Sequence, residues 1–152
     1  MNTDISIRAY KPSDLQCLSN IWLAASEEAH AFLGQETLKE QQRLIENVYL
    51  PSSETWVACK ADEPVGFIGL IDTFVGGLFV DPAQQGSGIG RLLIAYSLQL
   101  KGSLQLEVYT DNHQAVSFYK RLGFKEISRR DRDDEGLPFE NIKMELRRSE
   151  CI

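Results

Sequence analysis

The chain has 152 residues, of which 43% are apolar and 25% are charged, and its formal net charge is −6. This composition is ordinary for a globular protein, and the length suits one domain with a buried core. Proteins that bind nucleic acid carry a basic footprint, and this acidic chain has no basic stripe. No apolar stretch approaches the roughly 20 residues that cross a bilayer. The sequence therefore predicts neither a nucleic-acid partner nor a membrane partner.

The cysteines are few and far apart in the chain: Cys17, Cys59 and Cys151. An odd number without a Cys-x-x-Cys pair argues against a disulfide framework and against a zinc site. The first residues, MNTDISIRAY, lack the basic segment and apolar core of a signal peptide. We expect a cytoplasmic protein that binds no metal.

The first part of the chain predicts one strand and two helices. Ile5, Ile7 and Ala9 alternate with polar residues, which is typical of a strand. Apolar residues at helical spacing then predict a helix over 13–33, with Ser13 as its N-cap and Gly34 as its C-cap. A second amphipathic stretch covers 36–48.

The middle of the chain predicts three strands. Residues 55–60 and 65–71 are strand-like and are separated by the turn residues Asp62-Glu63-Pro64, so we expect a hairpin. Asp72 is expected to lie in the next turn. The third strand ends with the apolar run 78–80, and Gly76-Gly77 before it indicates a bulge or a close approach to the backbone.

The last part of the chain predicts a strand, a helix and two further strands. Residues 104–109 alternate in polarity, and a helix is expected over 112–122 because Gly123 can end it. Strands over 124–132 and 139–147 follow. The order β-α-α-β-β-β-α-β-α-β-β predicts a single mixed α/β sheet flanked by helices.

A glycine-rich loop lies between the third strand of the middle part and the next helix. Its residues are Gln85-Gly86-Ser87-Gly88-Ile89-Gly90-Arg91. Glycines and the free amides of a helix start form a natural site for a pyrophosphate, and Asp81 is expected to brace the loop. A P-loop needs Gly-Lys-Ser/Thr, and a dinucleotide fingerprint needs glycine where Arg91 stands, so neither fits. A tight turn without a ligand is the alternative.

A second motif combines with this loop. Asn112-x-x-Ala115-x-x-x-Tyr119-x-x-x-Gly123-Phe124 follows Gln85-x-x-Gly88-x-Gly90. Together the two motifs resemble the GNAT acyltransferase superfamily, and the resemblance covers nearly the whole chain. The segments WLAASEEAHAFL and DDEGLPF also resemble one bacterial subgroup of it. This resemblance implies a single GNAT domain over 1–152, with a mixed, mostly antiparallel twisted sheet of about six or seven strands flanked by about four helices.

The resemblance implies acetyl-CoA as the acyl donor. The backbone of Leu78, Phe79 and Val80 would pair with its pantetheine arm like an added strand. The amides of Gln85, Gly86, Ser87, Gly88, Ile89, Gly90 and Arg91 would hold the pyrophosphate. Asn112, Ser117 and Tyr119 would also contact the cofactor.

The implied reaction is direct acetyl transfer to a primary amine on a protein lysine, a protein N-terminus or a small molecule. Tyr119 would be the general acid, because a phenol with an ordinary pKa near ~10 keeps its proton at neutral pH. Glu107, or a chain of waters, would be the base, with the spacing to Tyr119 found in an N-terminal acetyltransferase of the same family. His30 and Trp22 are the candidate substrate-binding residues.

Each of these roles has a structural alternative. Tyr119 and Trp22 could be core aromatics, Glu107 could be an ion-paired strand residue, and His30 could be a partly buried, hydrogen-bonded histidine. Many members of the family carry a carboxylate near the end of the strand before the loop, where this chain has Gly76-Gly77. That difference favours, as a second hypothesis, a catalytically weak module that binds or senses acyl-CoA. A phosphate-binding regulator is a third. The acceptor and the choice between monomer and homodimer stay open.

Overall fold

The computed structural model describes residues 5–29, 34–84, 86–133 and 136–148. The strands are β1 (Ile5–Ala9), β2 (Glu54–Lys60), β3 (Glu63–Ile71), β4 (Phe74–Val80), β5 (Ser103–Tyr109), β6 (Lys125–Arg130) and β7 (Asn141–Arg147). The helices are α1 (Leu15–Ala29), α2 (Gln35–Leu44), α3 (Ile89–Lys101) and α4 (His113–Leu122). The predicted order of strands and helices is confirmed.

The strands form one seven-stranded sheet in the order β1-β2-β3-β4-β5-β7-β6. The pairs β1–β2, β2–β3, β5–β7 and β6–β7 are antiparallel. β4 and β5 are parallel, with Phe74 paired to Gln105 and Val75 to Leu106. The mixed, mostly antiparallel sheet flanked by helices is the predicted fold class.

The contacts divide the chain into two compact units, and the first comprises residues 1–71 and 76–95. Its core holds one face of α1, where Leu18, Ile21 and Trp22 are at most 6% exposed. These residues recur at helical spacing, which is why α1 buries a single stripe. The middle of β3 is buried as well, with Phe67 and Ile68 nearly inaccessible.

The second unit comprises residues 72–75 and 96–152. Its core is one face of β5 and β7, lined by Leu104, Leu106, Val108, Ile142, Met144 and Leu146. Because side chains alternate along a strand, Gln105, Glu107 and Tyr109 lie on the opposite face of β5. These less buried side chains of β5 therefore share one face of the strand.

The start of α1 differs from the prediction. Ser13 is not the N-cap, because a 3₁₀ turn over Pro12–Asp14 precedes the helix. The carboxylate of Asp14 accepts the backbone N–H of Lys11 at 2.9 Å and binds both terminal nitrogens of Arg8, at 2.8 and 2.9 Å. Proline at the first position of the turn starts it early, which leaves the capping role to the acidic residue.

The second helical region is longer than predicted. Gly34 precedes α2 with a φ of +86°, and its carbonyl accepts the N–H of Leu38, so it stands at the start of this helix. The predicted end of the previous helix, near Phe32-Leu33, lies outside the described residues. A π-helical segment, Ile45–Tyr49, continues α2, and helical backbone runs on through Leu50–Ser52. Leu38 is buried, but Leu44 and Val48 are 43% and 49% exposed, so the predicted apolar face is only partly buried.

The hairpin between β2 and β3 turns earlier than predicted. Lys60 pairs with Glu63, so the loop is Ala61-Asp62 rather than 62–64. Both loop residues have positive φ, 51° and 67°, which is the conformation of a two-residue type I′ turn. Asp72 has a φ of 53° in the turn before β4, as predicted.

Candidate functional site

Asp81 braces the start of the loop after β4. One of its carboxylate oxygens accepts the backbone N–H of Ala83 at 3.0 Å, and its carbonyl accepts the N–H of Gln84 at 2.8 Å. Its own N–H donates to the carbonyl of Val65 in β3 at 2.9 Å, which ties the loop to the sheet. The predicted bracing role of Asp81 is confirmed.

The glycine loop exposes backbone at the start of α3. Gly86 and Gly88 have φ of +87° and +85°, and a Cβ built on either would meet no described residue within 4 Å apart from its neighbours in the chain. The N–H of Leu92 makes the first helical hydrogen bond, to the carbonyl of Gly88 at 3.0 Å. The amides of 89–91 therefore have no acceptor within the helix, and they lie at its positive end. This arrangement can bind an anion; Gln85 lies outside the described residues.

Gly66 in β3 allows the end of β4 and the start of α3 to approach closely, a role that no local pattern indicated. A Cβ at this position would lie 3.0 Å from the carbonyl oxygen of Phe79 and 3.1 Å from a methyl carbon of Ile89. A larger residue would therefore push the glycine loop away from the sheet. Gly66 is a supporting residue of the candidate anion site.

The ring of Phe79 fills the place where the sequence lacks a carboxylate. A Cβ at Gly77 would lie 2.4 Å from Cε2 of Phe79, so the ring folds back over this glycine. The same ring packs on Trp22, with centroids 6.1 Å apart, and on Phe67, with centroids 5.4 Å apart. The predicted close approach to the Gly76-Gly77 backbone is thus made by an aromatic ring. Trp22 is only 3% exposed, which favours core packing over substrate contact.

Backbone motifs at both ends of α4 hold the second predicted motif. The amide oxygen of Asn112 accepts the N–H of Ala115 at 3.2 Å, which makes Asn112 the N-cap. At the other end Gly123 has a φ of +108°, and the N–H of Phe124 donates to the carbonyl of Tyr119 at 3.0 Å. With the bond from Gly123 to the carbonyl of Lys120, this is a Schellman motif.

Tyr119 is held by this helix end. Its ring contacts Phe124 and Phe118, with centroid distances of 5.4 and 5.2 Å, and Phe124 is 3% exposed. Burial raises the pKa of the Tyr119 phenol above its ordinary value. No residue that the structure describes accepts from or donates to its hydroxyl. The group is therefore a protonated phenol that can donate. Ser117, another predicted cofactor contact, is exposed on α4.

Glu107 is ion-paired. Its carboxylate lies 3.0 Å from a terminal nitrogen of Arg130 in β6, and its side chain is 25% exposed. Lys143 is its directly opposite neighbour on β7. The ion pair matches the structural alternative for this residue, and the partial exposure leaves the carboxylate accessible to solvent.

The pairing of Tyr109, at the end of β5, with Asp133 was not predicted from the sequence. The hydroxyl of Tyr109 donates to the carboxylate of Asp133 at 2.8 Å, and its ring lies 6.2 Å from that of Phe139. The two hydrogen-bonded residues are 24 positions apart, so no local pattern could have paired them. Tyr109 lies on the same face of β5 as Glu107.

Three further observations bear on the predicted function. His30, with its predicted substrate contact, lies outside the described residues. None of the helices described is long and apolar enough to cross a membrane. Among the described residues, no group of three or more His, Cys, Asp or Glu side chains could hold a metal ion.

Known proteins match this chain over nearly its whole length. The family model described as an acetyltransferase (GNAT) domain matches residues 18–146. The chain is 38% identical over 136 residues to the peptidyl-lysine N-acetyltransferase YjaB of Escherichia coli strain K12. The aligned region covers 89% of this chain and 92% of the relative.

Solved structures share the fold. The solution structure of apo YjaB from Escherichia coli has a TM-score of 0.85 at 36% identity, and covers 93% of this chain and 96% of that one. The PaiA N-acetyltransferase of Thermoplasma acidophilum, crystallised with coenzyme A, has a TM-score of 0.76 at 21% identity, with 94% and 98% coverage. At that lower identity the likeness concerns the fold alone.

Proposed function

The chain belongs to the GNAT acetyltransferase family and is an acetyl-CoA-dependent N-acetyltransferase, and from this premise we propose that its acceptor is the side-chain amine of a protein lysine. The support for lysine is the relative YjaB, which is named a peptidyl-lysine N-acetyltransferase. We further propose that Tyr119 is the general acid and that the transfer is direct.

The glycine loop fits the diphosphate of acetyl-CoA. A bound diphosphate requires open space above the backbone and amides without a helical acceptor. Gly86, Gly88 and the start of α3 provide both, and this observation carries the proposal that the chain uses acetyl-CoA. Gly86 to Arg91 would hold the phosphates, and the backbone of 78–80 would pair with the pantetheine arm. When bound, acetyl-CoA supplies an acetyl thioester whose carbonyl carbon a neutral amine attacks.

Tyr119 would give its hydroxyl proton to the leaving sulfur. Because burial raises the pKa of the phenol, it holds this proton across the neutral range. The loss of this donor is expected to lower kcat by about 100-fold or more, the range typical of general acid catalysis. Binding of acetyl-CoA should change little, because the donor acts on charge that develops only during the reaction.

The first experiment compares Tyr119→Phe with Tyr96→Phe, a tyrosine of α3 with no proposed role. Thiol release from acetyl-CoA is measured with an Nα-blocked peptide that contains one lysine, and acetyl-CoA affinity is measured by calorimetry. We expect kcat to fall in Tyr119→Phe alone, with acetyl-CoA affinity preserved. A parallel loss of kcat and affinity in Tyr119→Phe would assign this side chain to packing.

The loop assignment is tested with two variants of one glycine. Gly88→Glu and Gly88→Gln introduce the same strain at positive φ and nearly the same volume, but only glutamate adds a negative charge. Both should weaken acetyl-CoA binding, and glutamate should weaken it about tenfold more, because like charges repel. Equal affinities of the two variants would contradict a phosphate at this position.

Glu107 is the proposed base, because a lysine ammonium with an ordinary pKa near ~10.4 must lose a proton before it attacks. Glu107→Gln should lower kcat by about tenfold to 100-fold. The matched control is Glu145→Gln. Glu145 is also an ion-paired glutamate of the sheet, but it lies on β7, 3.3 Å from Arg147. If both variants behave alike, a chain of waters removes the proton.

A further inference from the structure

We infer that Tyr109 is a positioning residue for the lysine acceptor, an inference that rests on the proposed function. Tyr109 ends β5 and lies on the same face as Glu107, two residues away. It holds the connection between β6 and β7, whose described residues are 131–133 and 136–140. We call these residues the β6–β7 connection.

The carboxylate of Asp133 joins Tyr109 to this connection. One oxygen accepts the Tyr109 hydroxyl at 2.8 Å, and the other accepts the backbone N–H of Leu137 at 2.9 Å. The N–H of Asp133 donates in turn to the carbonyl of Leu137 at 3.0 Å. Both carboxylate oxygens are therefore used, and they bind β5 to a closed turn of the connection.

Asn141 ties the two ends of the connection together from β7. Its side-chain amide nitrogen donates to the carbonyls of Arg132 and Phe139, at 3.1 and 3.2 Å, and the residue is 4% exposed. Because the nitrogen faces two carbonyls, the amide oxygen faces away from them, and it has no partner among the described residues. An unpaired buried oxygen costs free energy, so we infer that the two hydrogen bonds of the amide nitrogen to the connection offset this penalty.

The side chains brought together suit a lysine. A lysine needs apolar surface for its alkyl stem, and carboxylates and aromatic faces attract its ammonium. The rings of Tyr109 and Phe139 lie edge to face at the same end of the sheet as the Asp133 carboxylate. Glu107 follows on the same face, held by Arg130, the last residue before the connection. Tyr109 thus fixes Asp133 and Phe139 for an acceptor that approaches Glu107.

The experiment uses the full chain, the Nα-blocked single-lysine peptide and acetyl-CoA. The variants are Tyr109→Phe, which keeps the ring and removes the hydroxyl, Asp133→Asn, and the two combined. The control is Arg147→Gln, which breaks an ion pair with Glu145 at the other end of β7. KM is measured separately for the peptide and for acetyl-CoA. The rate of hydrogen exchange of the Leu137 amide shows whether the hydrogen bond that closes the turn is kept.

We expect each single variant to raise the peptide KM by about tenfold, the loss typical of one hydrogen bond to a charged group. Asp133→Asn also removes the carboxylate charge, so its effect should be at least as large as that of Tyr109→Phe. The double variant should do no more than Asp133→Asn, because both changes remove the same bond. kcat and the acetyl-CoA KM should stay within about twofold, as should every parameter of the control.

Two results would overturn the inference. One is an unchanged peptide KM in Tyr109→Phe although Leu137 exchanges faster, because Tyr109 then only stabilises the turn. The other is an equal rise of both KM values. If the wild-type chain fails to acetylate the peptide, the proposed lysine acceptor is refuted and this inference with it. If the wild-type chain acetylates the peptide and Tyr109→Phe has the same peptide KM, the inference about Tyr109 is refuted while the proposed function stands.

Discussion

Replacement of Gly123 by alanine should both destabilise the protein and disturb Tyr119. Gly123 ends α4 with a φ of +108°, where side chains are strained, and a Cβ there would lie 3.2 Å from a methyl carbon of Leu146. The Schellman bond from Phe124 to Tyr119 depends on this backbone conformation. A shift of Gly123 therefore moves the residue proposed as the general acid.

The magnitude follows from two contributions. Left-handed backbone costs an alanine about 1–2 kcal/mol, and the crowding against Leu146 adds about 1 kcal/mol. The free energy of unfolding should therefore fall by about 2–3 kcal/mol. For a chain of this length that corresponds to a loss of about 5–10 °C in Tm. kcat should fall as well, because general acid catalysis depends on the position of the donor.

Gly102→Ala is the matched control. Gly102 also follows a helix, α3, with a φ of +82°, and its N–H donates to the carbonyl of Leu98 at 2.8 Å. Among the residues described, a Cβ there would have no neighbour within 4 Å apart from those adjacent in the chain, so only the backbone strain of about 1–2 kcal/mol remains. Urea unfolding and steady-state kinetics are measured on both variants. Equal destabilisation would refute the crowding at Gly123, and wild-type kcat in Gly123→Ala would refute the positioning of Tyr119.

Two further predictions concern the first unit. The hydrogen bonds from Arg8 lower the pKa of Asp14, so this pair stabilises the fold above the ordinary aspartate pKa near ~4 and loses its effect as pH falls through the lower native value. Asp14→Asn should cost about 1–3 kcal/mol at pH 7 and progressively less as pH falls below the ordinary aspartate pKa, as urea titrations over a series of pH values would show. Gly77→Ala should displace the ring of Phe79 and alter tryptophan fluorescence, whereas Gly76→Ala, whose Cβ would come no nearer than 3.7 Å to any atom, should not.

The sheet and most helices could be predicted because local patterns specify them. β5 alternates strictly between buried and half-buried residues, and α4 begins at Asn112 and ends at Gly123, each through its own capping chemistry. The errors arose where two local signals competed. Ser13 is a good N-cap by composition, but Pro12 and the ion pair of Asp14 with Arg8 decide the start of α1.

The shape of the glycine-rich strand end could be predicted only in part. Gly76-Gly77 indicated that some group approaches the backbone closely, but the sequence pattern did not predict that this group is the ring of Phe79. The ring is turned back by its packing on Trp22 and Phe67, which come from α1 and β3. The position where the sequence lacks a carboxylate therefore holds core packing instead of a polar group.

The two halves of the proposed chemistry differ in how the sequence encodes them. Donor binding and the general acid depend on backbone geometry, which glycine residues and helix caps encode locally, so a short motif suffices to recognise them. The proposed acceptor side depends on long-range pairs such as Glu107–Arg130 and Tyr109–Asp133, whose members are 23 and 24 positions apart. Such pairs can change without altering any cap or strand. It follows that relatives can keep the family motif while their acceptors diverge, and that Tyr109 and Asp133 are where acceptor selectivity should be engineered.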